Sequence, residues 1–405
     1  MRPSNRDTLV LFTLSYPFGK AESFLENEIK YLSRFFKKVY VFPSVSEGYS
    51  RQIPSNVHVL DIPGKMKEFS FKILFKNFSF FLRIICYSIF CSKNRIQYLR
   101  HIKSVAHYFV IDISKAEGIK ECLDQHKISD AFFYDYWLLN SSLSLISIKE
   151  QGVIKGKIIA RAHGFDLYDN RHIEGIVPFK EFKIAQLDQL VTISLHGSRY
   201  LKSQLNPSLC EKIETHYLGV ESPLKIPLAS KGNLIVSCSN LIALKRVDLI
   251  VKALKNVNHS AKWIHFGGGP ELDTIKKLLK ELPDFIEVRL AGEVSNQKIH
   301  DFYSNNHVEL FVSLSENEGL PVSMMEAQSY GIPILGTAIN GVPEIVNEST
   351  GILAPLNVSA NYVASIINRV LNREIIFDRG KIRDHFANHF SAEVNYPKFI
   401  EQVMK

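Results

Sequence analysis

One stretch in the second half of the chain, from Ser315 to Thr337, reads SENEGLPVSMMEAQSYGIPILGT. Two glutamates, Glu318 and Glu326, flank a Gly-Leu-Pro turn, and an apolar strand pattern follows them. Glu318 lies in the loop, and Glu326 lies within the first turns of a predicted helix. The spacing therefore places two carboxylates around a helix N-terminus, where backbone N–H groups favour anions.

Strand and helix patterns alternate along the chain, which is typical of parallel sheets covered by helices. The stretch from Glu22 to Phe36 predicts a helix with an apolar face formed by Leu25, Ile29, Leu32 and Phe36. We predict an α/β protein with two Rossmann-like, doubly wound domains that face a central cleft. The predicted strands are Thr8–Leu14, Lys38–Pro43, Asp130–Tyr134, Lys157–Ala162, Gln189–Ser194, Asn233–Ser239, Lys262–Phe266, Ile286–Ala291, Glu309–Ser313 and Ile332–Thr337.

The domain division follows from length and from one aperiodic stretch. A chain of 405 residues is longer than a single core usually serves. The segment ESPLKIPLASKG, from Glu221 to Gly232, contains two prolines and no periodicity, which predicts a linker. We therefore expect a first domain over residues 1–220 and a second over residues 221–389.

Composition indicates which binding partners and which cellular compartment to expect. The net charge of +8 and the pI of about 9.0 favour an anionic partner such as nucleic acid, a membrane or a phosphorylated ligand. Nothing resembles a nucleic-acid-binding module. The five cysteines form no CxxC pair, so neither a disulfide framework nor a zinc site is expected, and a reducing cytosol fits. The opening MRPSNRDTLVLFTLSYP reads as a first strand and not as a signal peptide.

The loop between the two glutamates has the chemistry of a nucleotide-sugar site. The amides of Gly319 and Leu320 sit at the predicted helix start and can bind phosphate. A carboxylate there is suited to accept hydrogen bonds from hydroxyls that flank the phosphate. Glu326 would hold a ribose and Glu318 a sugar. The alternative is that both carboxylates only cap or solvate the helix start.

Other strand ends add candidates. Lys245 and Arg246 follow the strand at Asn233–Ser239 and can meet a diphosphate, although solvated charges at a helix start are a common alternative. His163 follows a strand and is expected to be exposed, where it touches substrate or is merely structural. Gly19 lets the backbone turn toward the cleft.

Two absences also bear on the chemistry. The turn at Gly267–Pro270 is followed by Leu272 where the dinucleotide-binding fingerprint needs a third glycine. No Asp-x-Asp motif occurs anywhere in the chain, so we expect no bound metal.

These motifs resemble the family 4 retaining glycosyltransferases, which have the GT-B fold. Glu318 and Glu326 match the E-x7-E motif of that family, and EGLPVSMMEAQSYGIPIL is similar to its signature. KRVDLI, FGGGPEL, AGEVSN and NGVPEIV extend the resemblance. In the first half, RAHGFDLY and YPFGKAESFLENEI resemble a branch that assembles bacterial surface polysaccharides.

The resemblance implies roles for the site. Glu326 binds the ribose, and Glu318 contacts the transferred sugar beside the Gly319 and Leu320 amides. Lys245 neutralises the leaving diphosphate. The remaining donor-side residues that it implies are His163, Gly19 and Gly268.

The chain departs from the family pattern at two positions. Many members carry an arginine where this chain has Asn240, and glycine is usual where it has Arg246, so Arg246 is expected to replace the missing contact. In this fold the last helix commonly crosses back to the first domain, and we expect this of residues 390–405. Retention is expected to follow front-face attack, with the leaving phosphate taking the proton of the acceptor.

The predicted function is therefore retaining transfer of a sugar to a glycan or lipid-linked acceptor in capsule, O-antigen or exopolysaccharide synthesis. A UDP-sugar is the favoured donor, a GDP-sugar is an alternative, and no cofactor is expected. A non-catalytic GT-B subunit and a sugar-nucleotide epimerase remain alternatives. A phosphorylase would need a pyridoxal-phosphate lysine, to which no motif points.

A basic segment, Lys65–Lys103, carries nine Lys/Arg and one acid. At helical spacing one face is basic, with Lys72, Lys76 and Arg83. This pattern predicts binding to an anionic membrane surface, hence a cytoplasmic protein that is peripheral on the inner face of the membrane. The alternative is a helix that packs its aromatic face on the first sheet. That face is formed by Phe71, Phe75, Phe78, Leu82, Ile85 and Ile89.

Overall fold

The computed structural model describes residues 7–19, 22–62, 70–228 and 232–404. Contacts between residues divide the chain into two compact units. The first comprises residues 1–217 together with 396–405, and the second comprises residues 218–395. The last stretch of the chain therefore groups with the first unit.

The first unit is built on a seven-stranded parallel sheet with the order β3-β2-β1-β4-β5-β6-β7. The order reverses direction between β1 and β4, which creates a switch point in the sheet. Ligands of open α/β sheets bind at the carboxyl ends of the strands beside such a point. The strands are β1 Thr8–Thr13, β2 Lys38–Pro43, β3 Val57–Val59, β4 Phe132–Asp135, β5 Ile158–Ala162, β6 Gln189–Thr192 and β7 Ile213–Thr215.

Helices accompany this sheet throughout the first unit. They are α1 Leu25–Phe35, α2 Phe71–Lys76, α3 Phe78–Cys91, α4 Arg95–Arg100, α5 Ile102–Gln125, α6 Ser142–Glu150, α7 Lys180–Gln186, α8 Leu195–Gln204 and α9 Pro207–Cys210. The predicted apolar face of α1 is confirmed, because Leu25, Ile29, Leu32 and the capping Phe36 are all buried. The predicted start at Glu22 is wrong, because α1 begins three residues later.

The second unit contains a six-stranded parallel sheet with the order β10-β9-β8-β11-β12-β13. Its switch point lies between β8 and β11. The strands are β8 Leu234–Cys238, β9 Ala261–Phe266, β10 Ile286–Gly292, β11 Leu310–Ser313, β12 Ile334–Thr337 and β13 Gly351–Ala354. The helices are α10 Val247–Leu254, α11 Leu272–Leu279, α12 Asn296–Asn305, α13 Val322–Ser329, α14 Val342–Ile345, α15 Ala360–Leu371 and α16 Arg379–His389, and α17 Ala392–Val403 runs from this unit into the first.

The α/β prediction is confirmed, and all ten predicted strands are present with ends shifted by at most two residues. The sequence reading missed β3, β7 and β13, which have only three or four residues each and lie at sheet edges. Within the first unit, the side of the sheet that packs on α1 is also covered by Phe399, Ile400 and Val403 of α17.

Candidate functional site

The switch point of the second unit brings two predicted site residues into contact. Lys245 ends a short 3₁₀ turn after β8, and Glu318 lies in the loop after β11. The Nζ of Lys245 donates to Oε1 of Glu318 at 2.6 Å. Both side chains are mostly buried, with 21% and 11% of their surface exposed. An ammonium and a carboxylate therefore meet at the edge where the topology predicts a ligand.

Arg246 is engaged by the protein itself. Its guanidinium donates to the carbonyl oxygens of Leu314 at 2.5 Å and Leu356 at 2.6 Å, and to Oγ1 of Thr337 at 3.2 Å. Burial lowers the pKa of Arg246, and the acids Glu316 and Asp248 oppose that shift. Each of the three guanidinium nitrogens has an acceptor, so Arg246 connects the loops after β11 and β13 with the last residue of β12.

The backbone of Arg246 explains why glycine suits this position. Its φ is +47°, in the left-handed region that costs an L-residue roughly 1–2 kcal/mol. Glycine adopts this conformation freely. The conformation turns the chain directly from the 3₁₀ turn into α10, and it places Lys245 ahead of the helix.

Glu326 is a buried carboxyl on α13. Only 6% of the residue is exposed, so it does not solvate a helix start as the alternative reading had it. Burial raises its pKa to about 7, and a hydrogen bond with the Asn296 side chain partly opposes this. Burial, and then the charge of Glu326, raise the pKa of the neighbouring Cys238 thiol to about 12. The buried hydroxyl of Tyr303 has no hydrogen-bond partner within the described residues.

The loops after β11 and β12 contact each other at Gly319. A Cβ on Gly341, after β12, would lie 2.2 Å from the carbonyl oxygen of Gly319, so only glycine fits there. Asn340, with φ of +41°, donates from Nδ2 to the carbonyl of Glu318 at 2.9 Å. In the part of the chain that the structure describes, the amides of Gly319 and Leu320 donate no hydrogen bond, while the Leu320 side chain is buried. Both amides therefore keep their donor capacity.

The glycine turn after β9 packs on the loop after β8. A Cβ on Gly267 would lie 1.9 Å from the carbonyl oxygen of Ser239. The carbonyl of Gly268 accepts from the amide of Leu241 at 2.8 Å. Asn240 lies between these contacts and is exposed. Packing thus explains this turn, which lacks the dinucleotide fingerprint.

His163 contradicts the expectation of exposure. It follows β5, yet only 6% of it is exposed. Its ring lies against Trp137, Tyr136 and Phe24, with centroid distances of 4.1, 5.1 and 5.7 Å. Burial and the charge of Arg161 hold its pKa well below the usual value, so the ring is neutral. Neither ring nitrogen finds a partner among the described residues.

The sequence reading missed Glu22. Its carboxylate accepts from the amides of Leu14, Ser15 and Tyr16 at 3.0, 2.7 and 2.7 Å, and from the Trp137 indole at 2.6 Å. These contacts hold the loop after β1 to the loop after β4. The only sequence signal for this role of Glu22 is an acidic residue shortly after a strand-end loop. The same signal is equally typical of a helix start.

Gly19 lies in the loop that Glu22 organises. It has φ of +63°, and its amide donates to the carbonyl of Tyr49 at 2.9 Å. The positive φ fits the predicted turn, which in the structure joins the loop after β1 to the loop after β2.

The basic segment is not a single amphipathic helix. Its first part, residues 65–69, lies outside the described residues. Beyond it, Asn77 separates α2 from α3. The buried face of α3 consists of Phe81, Ile84, Ile85 and Ser88, so the predicted aromatic face is wrong.

The three predicted membrane-surface cations are all exposed, but they differ in their partners. Lys76 lies 3.7 Å from Glu117, and Arg83 binds both oxygens of Glu150 at 2.6 and 2.5 Å. Lys72 has no ion-pair partner within the described ranges. None of the helices in the described part of the chain is long and apolar enough to cross a membrane.

Comparison with known proteins identifies the fold class. A solved lipopolysaccharide outer core galactosyltransferase WaaB, in its apo form, superposes with a TM-score of 0.66 at 15% identity. The match covers 98% of this chain and 99% of that one. Anabaena Alr3699/HepE in complex with UDP-glucose superposes with a TM-score of 0.62 at 11% identity, over 98% of this chain and 99% of that one. The chain therefore has the GT-B fold, as predicted.

Sequence comparison finds similarity to glycosyltransferases. A family model described as Glycosyl transferases group 1 matches residues 221–388, most of the second unit. The putative colanic acid biosynthesis glycosyltransferase WcaL of Escherichia coli strain K12 is 26% identical over 231 residues. That alignment covers 54% of this chain and 56% of the relative, so the chain spans little more than half of that protein.

Proposed function

We propose that this protein is a retaining glycosyltransferase that moves a sugar from a nucleotide-sugar donor to a glycan or lipid-linked acceptor. The observation that carries the proposal is the meeting of Lys245 and Glu318 at the switch point of the second unit, with Glu326 buried beside the end of β8. The GT-B fold and the family match over residues 221–388 support it. The resemblance to WcaL favours bacterial surface polysaccharide as the product.

The donor is proposed to bind along these loops. Lys245 meets the diphosphate, and the unused amides of Gly319 and Leu320 bind its oxygens. Glu326 accepts hydrogen bonds from the ribose, and Glu318 contacts the departing sugar. A UDP-sugar is the favoured donor, because the HepE structure of the same fold holds UDP-glucose.

The reaction breaks the bond between the anomeric carbon and the diphosphate oxygen. A bond to the acceptor oxygen forms on the same face, and the departing phosphate oxygen takes the acceptor proton. Negative charge grows on the diphosphate, where Lys245 and the two amides stabilise it. No metal ion is required in this proposal, because a cation of the chain already lies at the switch point.

The first unit is proposed to contribute the neutral ring of His163. A buried imidazole with two unused nitrogens can donate one hydrogen bond to a substrate oxygen and accept another. The protein is proposed to work in the cytoplasm at the inner face of the membrane, where lipid-linked acceptors are located.

Thermal shift with UDP-, GDP- and ADP-sugars tests donor binding. A donor at a hundredfold excess over its dissociation constant raises stability by about 2.7 kcal/mol. Lys245→Met should lose most of that shift, whereas Lys252→Met, which removes an exposed cation from α10, should keep it. If no nucleotide or nucleotide sugar shifts the parent protein, the proposal is wrong.

A transfer assay with the donor so identified, run in EDTA, then separates the alternatives. Transfer to a glycan or lipid-linked acceptor supports the proposal. Conversion of the donor sugar without an acceptor would identify an epimerase instead. Donor binding without any turnover would indicate a non-catalytic subunit.

A further inference from the structure

Residues 70–103, which we call the amphipathic surface, expose an unusual amount of apolar side chain. Of the 24 exposed large hydrophobic residues in the described chain, eight lie in these 34 residues. Phe75 is 73% exposed and Phe90 is 86% exposed. The eight are Phe71, Phe75, Phe78, Leu82, Phe90, Ile96, Leu99 and Ile102. A concentration of this kind marks an interaction site more often than a solvated face.

Helix α3 is apolar on two faces. One face is packed, with Phe81 against Phe109 at a centroid distance of 5.1 Å and with Ile84 and Ile85 buried. The exposed side carries apolar residues at a spacing of four, namely Phe78, Leu82, Cys86 and Phe90. The packed face of α3 therefore accounts for its contact with the first unit, and the exposed apolar stripe lies outside that contact.

The charge of the amphipathic surface has one sign. Residues 70–103 contain seven Lys/Arg and no Asp or Glu. Lys76 and Arg83 pair with acids elsewhere, and Lys93 donates to the Ser203 carbonyl. The other four are exposed and have no ion-pair partner within the described ranges: Lys72, Arg95, Arg100 and Lys103.

We propose that the amphipathic surface lies on an anionic lipid bilayer, with its phenylalanines in the boundary between headgroups and acyl chains. Exposed aromatic residues interleaved with free cations suit that boundary. The proposed contact is peripheral, and within the described ranges no helix is long and apolar enough to cross the bilayer. A second copy of the chain is a poorer partner, because it would bring two acid-free basic surfaces together.

The structure also changes which residues should anchor the protein. Two of the three cations named from the sequence, Lys76 and Arg83, are ion-paired, whereas Arg95 and Arg100 are exposed without a partner in the described chain. Phe71 and Phe75 lie one turn apart on α2 and are both more than half exposed. Their replacement should therefore leave the packed core intact.

Vesicle sedimentation of the full chain tests the proposal without any donor or acceptor. Vesicles of phosphatidylcholine alone are compared with vesicles that contain phosphatidylglycerol. The parent protein should sediment with the anionic vesicles and should dissociate from them at high salt. Phe71→Ser with Phe75→Ser should weaken binding at least tenfold. The control Ile173→Ser with Ile376→Ser, which removes equally exposed residues elsewhere, should bind like the parent.

The charge arm uses Lys72→Gln, Arg95→Gln and Arg100→Gln together. Each basic residue near an anionic surface contributes about fivefold to binding, so the triple variant should bind on the order of a hundredfold more weakly. The control replaces the exposed Lys276 and Lys277 of α11 and its C-cap Lys280 in the same way.

Three results would overturn the proposal. They are a parent protein that ignores anionic vesicles, control variants that lose as much binding as the test variants, and test variants that bind like the parent. Sedimentation velocity tests the alternative that a second copy of the chain covers this surface. A parent dimer that the Phe71/Phe75 variant converts to monomer would assign the surface to self-association.

Discussion

At the scale of single residues, Lys245 and Glu318 form an ion pair in which each charge neutralises the other. In the proposed function, a diphosphate that binds Lys245 competes with the Glu318 carboxylate. The pair keeps an ammonium and a carboxylate partly buried without leaving either charge unpaired. If the donor binds as proposed, Lys245 exchanges one ion partner for another, and the two residues should have opposite effects on nucleotide affinity.

Glu318→Gln should bind free nucleoside diphosphate more tightly than the parent protein does. The substitution removes the resident counter-ion, and an ion pair worth about 1 kcal/mol corresponds to roughly fivefold in affinity. Turnover should fall nevertheless, because the contact with the departing sugar is weakened. Calorimetry and a transfer assay measure the two effects, with Glu316→Gln, an exposed acid of the same loop, as the control. Weaker nucleotide binding by Glu318→Gln would contradict the exchange.

If Glu326 binds the ribose as proposed, nucleotide affinity should depend on pH. Its pKa of about 7 means that the carboxyl is mostly protonated at pH 6 and mostly ionised at pH 8. Only the ionised form offers all its lone pairs to ribose hydroxyls, so affinity should fall about tenfold between pH 8 and pH 6.

The matched variant for this pH dependence is Glu326→Gln. It retains the titration of the phosphate ligand but loses that of the carboxyl. The Cys238 thiol, with a pKa of about 12, does not titrate in this range. Calorimetry at both pH values should show a steeper change for the parent than for the variant. Equal slopes would mean that Glu326 does not bind the ribose.

Two substitutions of Arg246 distinguish the cost of its strained backbone from the stability that its side-chain contacts contribute. Arg246→Ala and Arg246→Gly both lose the contacts with the Leu314 and Leu356 carbonyls and should destabilise the second unit by roughly 2–4 kcal/mol. Glycine relieves the positive φ, so it should be about 1 kcal/mol more stable than alanine. Denaturant titration measures this order. An alanine variant at least as stable as the glycine variant would contradict it.

At the scale of elements, the loops after β11 and β12 behave as one structure. Gly341→Ala would drive a Cβ into the Gly319 carbonyl, and the loop after β11 must shift to admit it. Nucleotide affinity and turnover should both fall by at least tenfold, because Glu318 and the Gly319 amide move with that loop.

The control for this loop contact is Gly292→Ala. Gly292 also has a positive φ, of +68°, but a Cβ there meets nothing within 4 Å. It should cost stability without changing nucleotide affinity, as calorimetry can show. Equal affinities for Gly341→Ala and the parent protein would mean that the two loops are uncoupled.

Strands marked by a run of buried apolar side chains were predictable, whereas the three-residue strands were not. The ten predicted strands have enough buried apolar side chains to give a recognisable sequence pattern. β3 and β7 have three residues each, and only their pairing with neighbouring strands in the sheet identifies them. In the basic segment, the helical periodicity predicted the wrong packed face. A helix with apolar residues on two sides does not reveal which side is packed, and Asn77 ends α2 within the pattern.

The strand-end rule predicted part of the site. Lys245 and Glu318 follow strands that turn out to flank the switch point, which is why the structure brings them together. The sequence did not reveal the partners of Arg246, because backbone carbonyls leave no residue signature. Nor did it reveal that His163 is buried, because the covering rings of Trp137 and Phe24 come from other loops.

At the scale of the whole molecule, the first unit depends on the end of the chain. Phe399 is fully buried there, 4.5 Å from the Arg161 guanidinium and 5.6 Å from the ring of Tyr134. Arg161 is itself fully buried and bonded to Glu28 at 3.1 Å. Residues far apart in sequence thus complete one core.

Phe399→Ala should destabilise the first unit by about 3–5 kcal/mol, the usual cost of removing a buried phenylalanine. Hydrogen exchange resolved by peptide should show the loss in β1 and β4. Val394→Ala, a truncation of an exposed residue earlier in α17, is the control and should leave exchange unchanged. Unaltered protection of β1 and β4 in the Phe399 variant would contradict the packing.

The membership of residues 396–404 in the first unit has a consequence for synthesis. A ribosome that adds about 5–20 residues per second delivers this helix only after the entire second unit has been translated. Until then, the apolar surface around Leu9, Leu11 and Tyr134 lacks the covering of Phe399 and Val403. The first unit to emerge is therefore the one that cannot finish folding first, and during translation it presents an open apolar face to chaperones.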